Sequence, residues 1–91
     1  MNREIKVAIL GSTGYVGIEL TKILTRHPNI IINFLGSENS ININFNEIDE
    51  SHNFQNLPII KSNNDFNFSE SDLVFLALPH GVSNNYVKIF Y

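Results

Sequence analysis

The sequence predicts an α/β fold in which a parallel sheet carries flanking helices, and three observations lead there. A nearly unbroken apolar run, Ile5 to Leu10, passes directly into a glycine-rich turn, Gly11-Ser12-Thr13-Gly14-Tyr15-Val16-Gly17. An amphipathic pattern follows through Leu24, and Pro28 stops it. Further apolar runs then recur at Ile30 to Leu35 and at Leu73 to Leu78. Near-continuous apolar strands are those covered on both faces of a parallel sheet, and strand, turn, helix, strand is the order of a parallel crossover unit. The pattern is Rossmann-like.

Within that frame each element has its own reason. Val16, Leu20, Ile23 and Leu24 fall at helical spacing and predict one apolar face. Glu19 and Lys22 sit at i, i+3 on the outer side, and Arg26 and His27 occupy the predicted last turn, where positive charge suits the helix dipole. Ile30-Ile31-Ile32-Asn33-Phe34-Leu35 reads as the second strand, ending at Gly36-Ser37-Glu38-Asn39-Ser40. Residues 41 to 56 are polar and weakly patterned and read as mostly loop. Leu57-Pro58-Ile59-Ile60 reads as a short edge strand, because proline cannot serve a central ladder. Asn63 to Ser71 is polar again. Asp72-Leu73-Val74-Phe75-Leu76-Ala77-Leu78 is the most strand-like run of all, broken by Pro79-His80-Gly81, and Ser83 is placed to cap a final helix through Tyr86, Val87 and Phe90.

Three or four strands are fewer than a doubly wound sheet normally has. We therefore expect residues 1–91 to be a truncated chain, with the last strand and the unfinished helix lying in the middle of a domain. A domain of this length buries only roughly 60–65% of its unfolded surface, so its stability is marginal without a partner.

Composition removes several function classes. The chain has 91 residues, a net charge of −3 and no run of Lys or Arg able to neutralise several phosphates, so nucleic acid is not the expected partner. It has no cysteine, which leaves no disulfide, no thiolate metal site and no cysteine nucleophile within these residues. The charged start, Met1 to Lys6, is followed by no long apolar segment, so neither signal peptide nor membrane span is expected and the cytoplasm is the default location. His27, His52 and His80 are scattered without matching carboxylates, so no metal site is expected.

The glycine spacing is G-x-x-G-x-x-G. Gly11 lets the chain leave the strand sharply, Gly14 lets backbone approach a pyrophosphate where a Cβ would collide, and Gly17 lets the helix pack closely on the strand. Exposed N–H groups and the helix dipole favour a diphosphate at the helix start, with Ser12 and Thr13 adding hydroxyls. The bland alternative is a tight strand-to-helix turn and nothing more. The strand before and the helix after supply the context that favours a nucleotide. Glu38, 21 positions beyond Gly17, lies near the usual offset of an acidic residue that accepts from ribose hydroxyls. A carboxylate there favours NAD over NADP. Ser37, Asn39 and Ser40 are suited to a phosphate instead, with Glu38 facing solvent.

Two segments together resemble one family. Val7 to Leu20, with Arg26-His27-Pro28 closing the helix, is similar to the opening of the N-acetyl-γ-glutamyl-phosphate reductases. Asp72 to Ser83, with Ala77-Leu78-Pro79-His80-Gly81-Val82-Ser83 as its most diagnostic part, is similar to their fourth-strand signature. Residues 36 to 71 match poorly, and the glycine segment alone is shared with aspartate-semialdehyde dehydrogenases.

The resemblance implies a reductase of arginine biosynthesis that binds NADP(H), with NAD the alternative, and acts on an acyl phosphate as a homo-oligomer when complete. Residues 1–91 would then be its N-terminal dinucleotide-binding domain in truncated form, with the catalytic and dimerisation domain absent. Such enzymes use a cysteine thiolate and an acid–base histidine, both beyond this chain, so no catalytic residue is assigned here and the fragment alone is expected to be inactive. Carried over by position, Gly11, Ser12, Thr13, Gly14, Tyr15 and Val16 would surround the pyrophosphate. Ser37 would approach the adenosine end, and Ala77, Leu78 and Pro79 would lie beside the cofactor at the carboxyl edge of the sheet. The segment after the second strand lacks the basic residues often found there in the family. His80 has two readings, a local hydrogen bond holding its turn or a place near the nicotinamide. Two rivals stay open: another semialdehyde dehydrogenase, of aspartyl- or aminoadipyl-phosphate type, and a dinucleotide-binding module without chemistry.

Overall fold

The computed structural model describes residues 4–50, 54 and 56–77. Four strands, β1 (Ile5–Leu10), β2 (Ile30–Ser37), β3 (Lys61–Ser62) and β4 (Leu73–Leu76), form one sheet in the order β3-β2-β1-β4. All three pairings are parallel. Helix α1 (Tyr15–Leu24) joins β1 to β2, and a single-turn helix α2 (Phe45–Ile48) precedes β3. Two 3-10 turns, Asn63–Asp65 and Phe68–Glu70, lead into β4. The predicted parallel Rossmann-like sheet is the one observed. The predicted final helix, Leu78, Pro79, His80 and His52 all lie outside the described residues.

β1 is central, and Val7, Ala8, Ile9 and Leu10 have no exposed surface, as its apolar run requires. Val7 and Ile9 join Leu24, Ile32, Leu35, Phe45 and Ile60 in one core cluster, with Ile18, Leu20 and Phe75 packed against it. The register of β1 on β2 shifts once. Val7 pairs with Ile32 and Ala8 with Phe34, which leaves Asn33 as an extra residue in β2. Asn33 is anchored outside the ladder, its Nδ2 donating to Glu70 O at 2.5 Å and its Oδ1 accepting from Ser71 Oγ at 2.7 Å.

Three local readings need correction. The buried face of α1 is Gly17, Thr21 and Leu24, whereas Val16 and Ile23 are 68% and 52% exposed. The close approach of Gly17 to the turn sets the rotation of the helix, so that Gly17, Thr21 and Leu24 face inward and Val16 and Ile23 outward. The helix also ends at Leu24, before Arg26 and His27, whose N–H groups make tighter i−3 bonds to Ile23 and Leu24 carbonyls. Lys22 is the cation of the last turn, 3.7 Å from Glu19 and 3.3 Å from Asp49.

The described part of residues 41 to 56 is mostly loop, as expected, around one helical turn. Asn44 caps α2, accepting from Asn46 N at 3.1 Å, while Glu47 returns a bond to Asn44 N at 2.9 Å. The turn this makes buries Phe45 completely, with its ring 5.3 Å from that of Phe54. The edge strand falls at Lys61–Ser62, beyond Leu57-Pro58-Ile59-Ile60, because pairing begins only where the chain reaches Gly36 and Ser37. Ile60 instead bonds back to the 42–43 segment, N–H to Ile43 O at 2.9 Å and O from Asn42 N at 2.6 Å. Among the described residues no helix is long and apolar enough to cross a membrane.

Candidate dinucleotide site

The carboxyl ends of β1, β2 and β4 and the start of α1 surround an opening of about 460 Å³. Gly11, Thr13, Gly14, Tyr15 and Val16 line it from the turn and helix, Ser37, Glu38, Asn39 and Asn63 from the β2–β3 side, and Ala77 from the end of β4. Ligands of open α/β sheets bind at this edge. Of the residues singled out from sequence, Gly11, Thr13, Gly14, Tyr15, Val16, Ser37 and Ala77 come together here. Ala77 is held by its N–H on Leu10 O at 2.9 Å.

The three glycines of the turn have separate jobs. Gly11 has φ of 78°, a left-handed conformation that only glycine adopts freely. A Cβ on Gly17 would overlap Gly11 O and stand 2.7 Å from Ser12 Cα, so the helix crosses the turn too closely for any side chain. Gly14 differs from both. Its φ of −81° suits any residue, and a Cβ there would meet no protein atom nearer than 3.9 Å. Among the described residues nothing demands glycine at position 14, and it lines the opening.

Gly14 is also the residue before α1, and no side chain caps that helix. The first-turn N–H groups therefore keep no capping acceptor, which is the arrangement that receives an anion. Tyr15 is 93% exposed, so its backbone, not its ring, is what the fold fixes at this point.

Ser12 has a different place from the one its sequence position suggested. It is fully buried, and both its N–H and its Oγ–H go to the Gly36 carbonyl, at 2.8 and 3.0 Å. It holds the turn to β2 and has no hydroxyl proton left for a phosphate.

Thr13 and Ser37 form a short relay. Ser37 Oγ accepts from Asn39 N at 3.3 Å and Ser40 N at 3.0 Å, which occupies both its lone pairs. In its 2.9 Å contact with Thr13 Oγ1 either hydroxyl could donate, and the two bonds Ser37 already accepts favour it as the donor. That direction leaves the proton of Thr13, which lines the opening, for a ligand, and donation through a polarised chain is stronger than from an isolated hydroxyl.

Asn63 escaped the sequence reading. It lies in a run of polar residues that gives no periodic signal, yet it is 4% exposed and its Oδ1 accepts the Gly11 N–H at 3.1 Å. Gly36 makes this reach feasible, since a Cβ there would overlap Asn63 Oδ1 and stand 3.0 Å from the Phe34 ring. Glu38 and Asn39 on the same wall are exposed.

Comparison with known proteins matches residues 6–91 to the family described as semialdehyde dehydrogenase, NAD binding domain. The chain belongs to that family. The N-acetyl-γ-glutamyl-phosphate reductase of Caldicellulosiruptor saccharolyticus is 41% identical over 88 residues, 96% of this chain and 25% of that protein. The enzyme of the same name from Paracoccus denitrificans is 40% identical over 79 residues, 87% of this chain and 23% of that protein. Among solved structures, aspartate semialdehyde dehydrogenase with NADP from Candida albicans superposes with a TM-score of 0.75 at 27% identity, covering 96% of this chain and 26% of that one. The chain thus spans about a quarter of the length of the curated relatives it matches. Membership of a semialdehyde dehydrogenase NAD-binding domain family supports a nicotinamide dinucleotide as the cofactor.

Proposed function

We propose that this chain is the cofactor-binding part of an NADP(H)-dependent N-acetyl-γ-glutamyl-phosphate reductase. The observation that carries the reading is Gly14, a glycine that neither backbone conformation nor packing requires, placed at the uncapped start of α1. The family membership supports the dinucleotide, and the relatives at about 40% identity support N-acetyl-γ-glutamyl phosphate over aspartyl phosphate as the substrate.

In this reading the first-turn N–H groups of Tyr15 and Val16 and the Thr13 hydroxyl hold the diphosphate. Ser37 fixes the end of β2 beneath the adenosine ribose, and Ala77 stands beside the cofactor with Leu78 and Pro79 following it. The cofactor supplies the hydride that converts the acyl phosphate to semialdehyde and inorganic phosphate. The reaction also needs a nucleophile to displace phosphate, and none of these 91 residues is a cysteine. The assigned work of this chain is binding and orientation.

NADP over NAD is supported by the side chains of Asn39 and Ser40, which Ser37 Oγ gathers at the end of β2 by accepting from both their backbone N–H groups. Calorimetric titration of the purified protein with NADP and NAD tests the assignment. Tighter binding of NADP is expected, and binding of neither would overturn it. Continuation of the reading frame into a cysteine-bearing domain is expected on the same grounds, and a full-length protein without such a cysteine removes the reductase reading.

A further inference from the structure

Asn63 carries a buried polar atom, its Nδ2, that has no hydrogen-bond partner among the described residues. The orientation of its carboxamide is fixed by chemistry. The Gly11 N–H can only donate, so the end it meets at 3.1 Å is the oxygen and the other end is the amide. Both hydrogens of that amide lack an acceptor. Buried donors are rarely left so, because the lost hydration is not recovered. Among the described residues nothing uses them, since the tie to Gly11 needs the oxygen alone.

Position says which ligand group could serve. Asn63 directly follows β3, and the sheet order β3-β2-β1-β4 puts it on the opposite side of β1 from β4 and Ala77. That is the side on which Ser37 and Glu38 end β2, where a dinucleotide places its adenosine half. Asn63 lines the same opening as Gly14 and Ser37, and the Gly11 backbone beside it presents no side chain to a ligand atom seated there.

We propose that Asn63 is a specificity-determining residue of the site: its Oδ1 holds the Gly11 N–H while its Nδ2 donates to a neutral acceptor, a ring nitrogen or ribose oxygen, on the adenosine half of the dinucleotide. The proposal rests on the dinucleotide reading above and extends it to one half of the ligand.

The test uses the purified protein and three probes, NADP, ADP and inorganic pyrophosphate. Two variants separate the two ends of the side chain. Asn63→Asp keeps an acceptor for Gly11 N–H and loses the donor, whereas Asn63→Ala loses both. Asn63→Asp is expected to bind NADP and ADP about tenfold more weakly, the loss of one hydrogen bond. Its response to pyrophosphate, followed through the Gly14 and Tyr15 amide resonances, is expected to match the parent. The Asn63 side-chain amide resonances are expected to move when ADP is added and to stay in place with pyrophosphate.

Parent-like affinity of Asn63→Asp for ADP, or side-chain amide signals that ignore ADP, would overturn the proposal. So would equal weakening toward ADP and pyrophosphate in both variants, which marks a residue that only holds the turn, or a charge effect in Asn63→Asp. A parent protein that binds neither NADP nor ADP is a different result, because it removes the dinucleotide reading itself.

Discussion

Gly11 O faces Gly17 so closely that no atom fits between the turn and the helix. A Cβ on Gly17 would also come within 2.8 Å of Gly11 C, and backbone on both sides cannot yield as a flexible side chain would. Gly17→Ala must therefore move α1 off β1, which uncovers Thr21 and Leu24. Overpacking of this kind costs about 1–3 kcal/mol even where helix propensity favours alanine. A lower urea midpoint is expected, together with weaker NADP binding because the helix start moves.

Gly14→Val should separate binding from folding. The position has room for a side chain and an ordinary backbone conformation, so only the weaker capping tendency of valine acts on stability, about 1 kcal/mol at most. NADP affinity should fall by far more. A variant that melts near the parent and yet fails to bind in calorimetry is the expected outcome; undiminished binding would remove the cradle.

Thr13→Val replaces the hydroxyl at nearly constant shape, although Ser37 then loses the acceptor for its own proton. Stability should change by roughly 1 kcal/mol and NADP affinity by about tenfold, the loss of a hydrogen bond to a charged group. Ser37→Ala should be the more damaging to the fold, since it strips the acceptor from both Asn39 N and Ser40 N. Parallel unfolding and binding curves for the two variants check the order.

Glu38 tests cofactor choice. Its carboxylate is exposed on the wall of the opening, and a unit charge at a few ångströms in water is worth about 1 kcal/mol. Glu38→Gln is expected to raise the NADP-to-NAD affinity ratio roughly fivefold at low salt, and less at high salt. An unchanged ratio would place the side chain away from the ribose.

Sequence made the sheet and its glycine turn legible because both are local. The apolar run of β1, the abrupt glycines and the run at β4 each announce themselves within a few residues. The face of α1 was read by size, with Val16 and Ile23 as core. That rule fails where contact with the turn selects the smallest residue, Gly17. Phe45 was missed, although Asn44 and Glu47 spell a capping box, because a four-residue helix is too short to show a period. Its removal as Phe45→Ala should cost about 3–5 kcal/mol, as for a fully buried aromatic. Asn63 had no local signal at all. Its partner Gly11 lies 52 residues away, and only the order of strands brings them together.

The extra residue of β2 has a consequence at the far end of the strand. Side chains alternate between faces, and one inserted position reverses the alternation for everything after it. Ile32 faces the core below Asn33, and above it Leu35 does, three positions later and not two or four. Ser37 inherits that reversed parity and so points to the side where Thr13 can meet it, while Gly36 takes the face that Asn63 crosses. Drawing Asn33 into the ladder opposite Ala8 would leave the composition of the opening untouched and move every later residue by one place, setting Gly36 where the Ser37 hydroxyl is needed and Leu35 across the path of Asn63. The chemistry of the site is thus phased by a residue that never touches it.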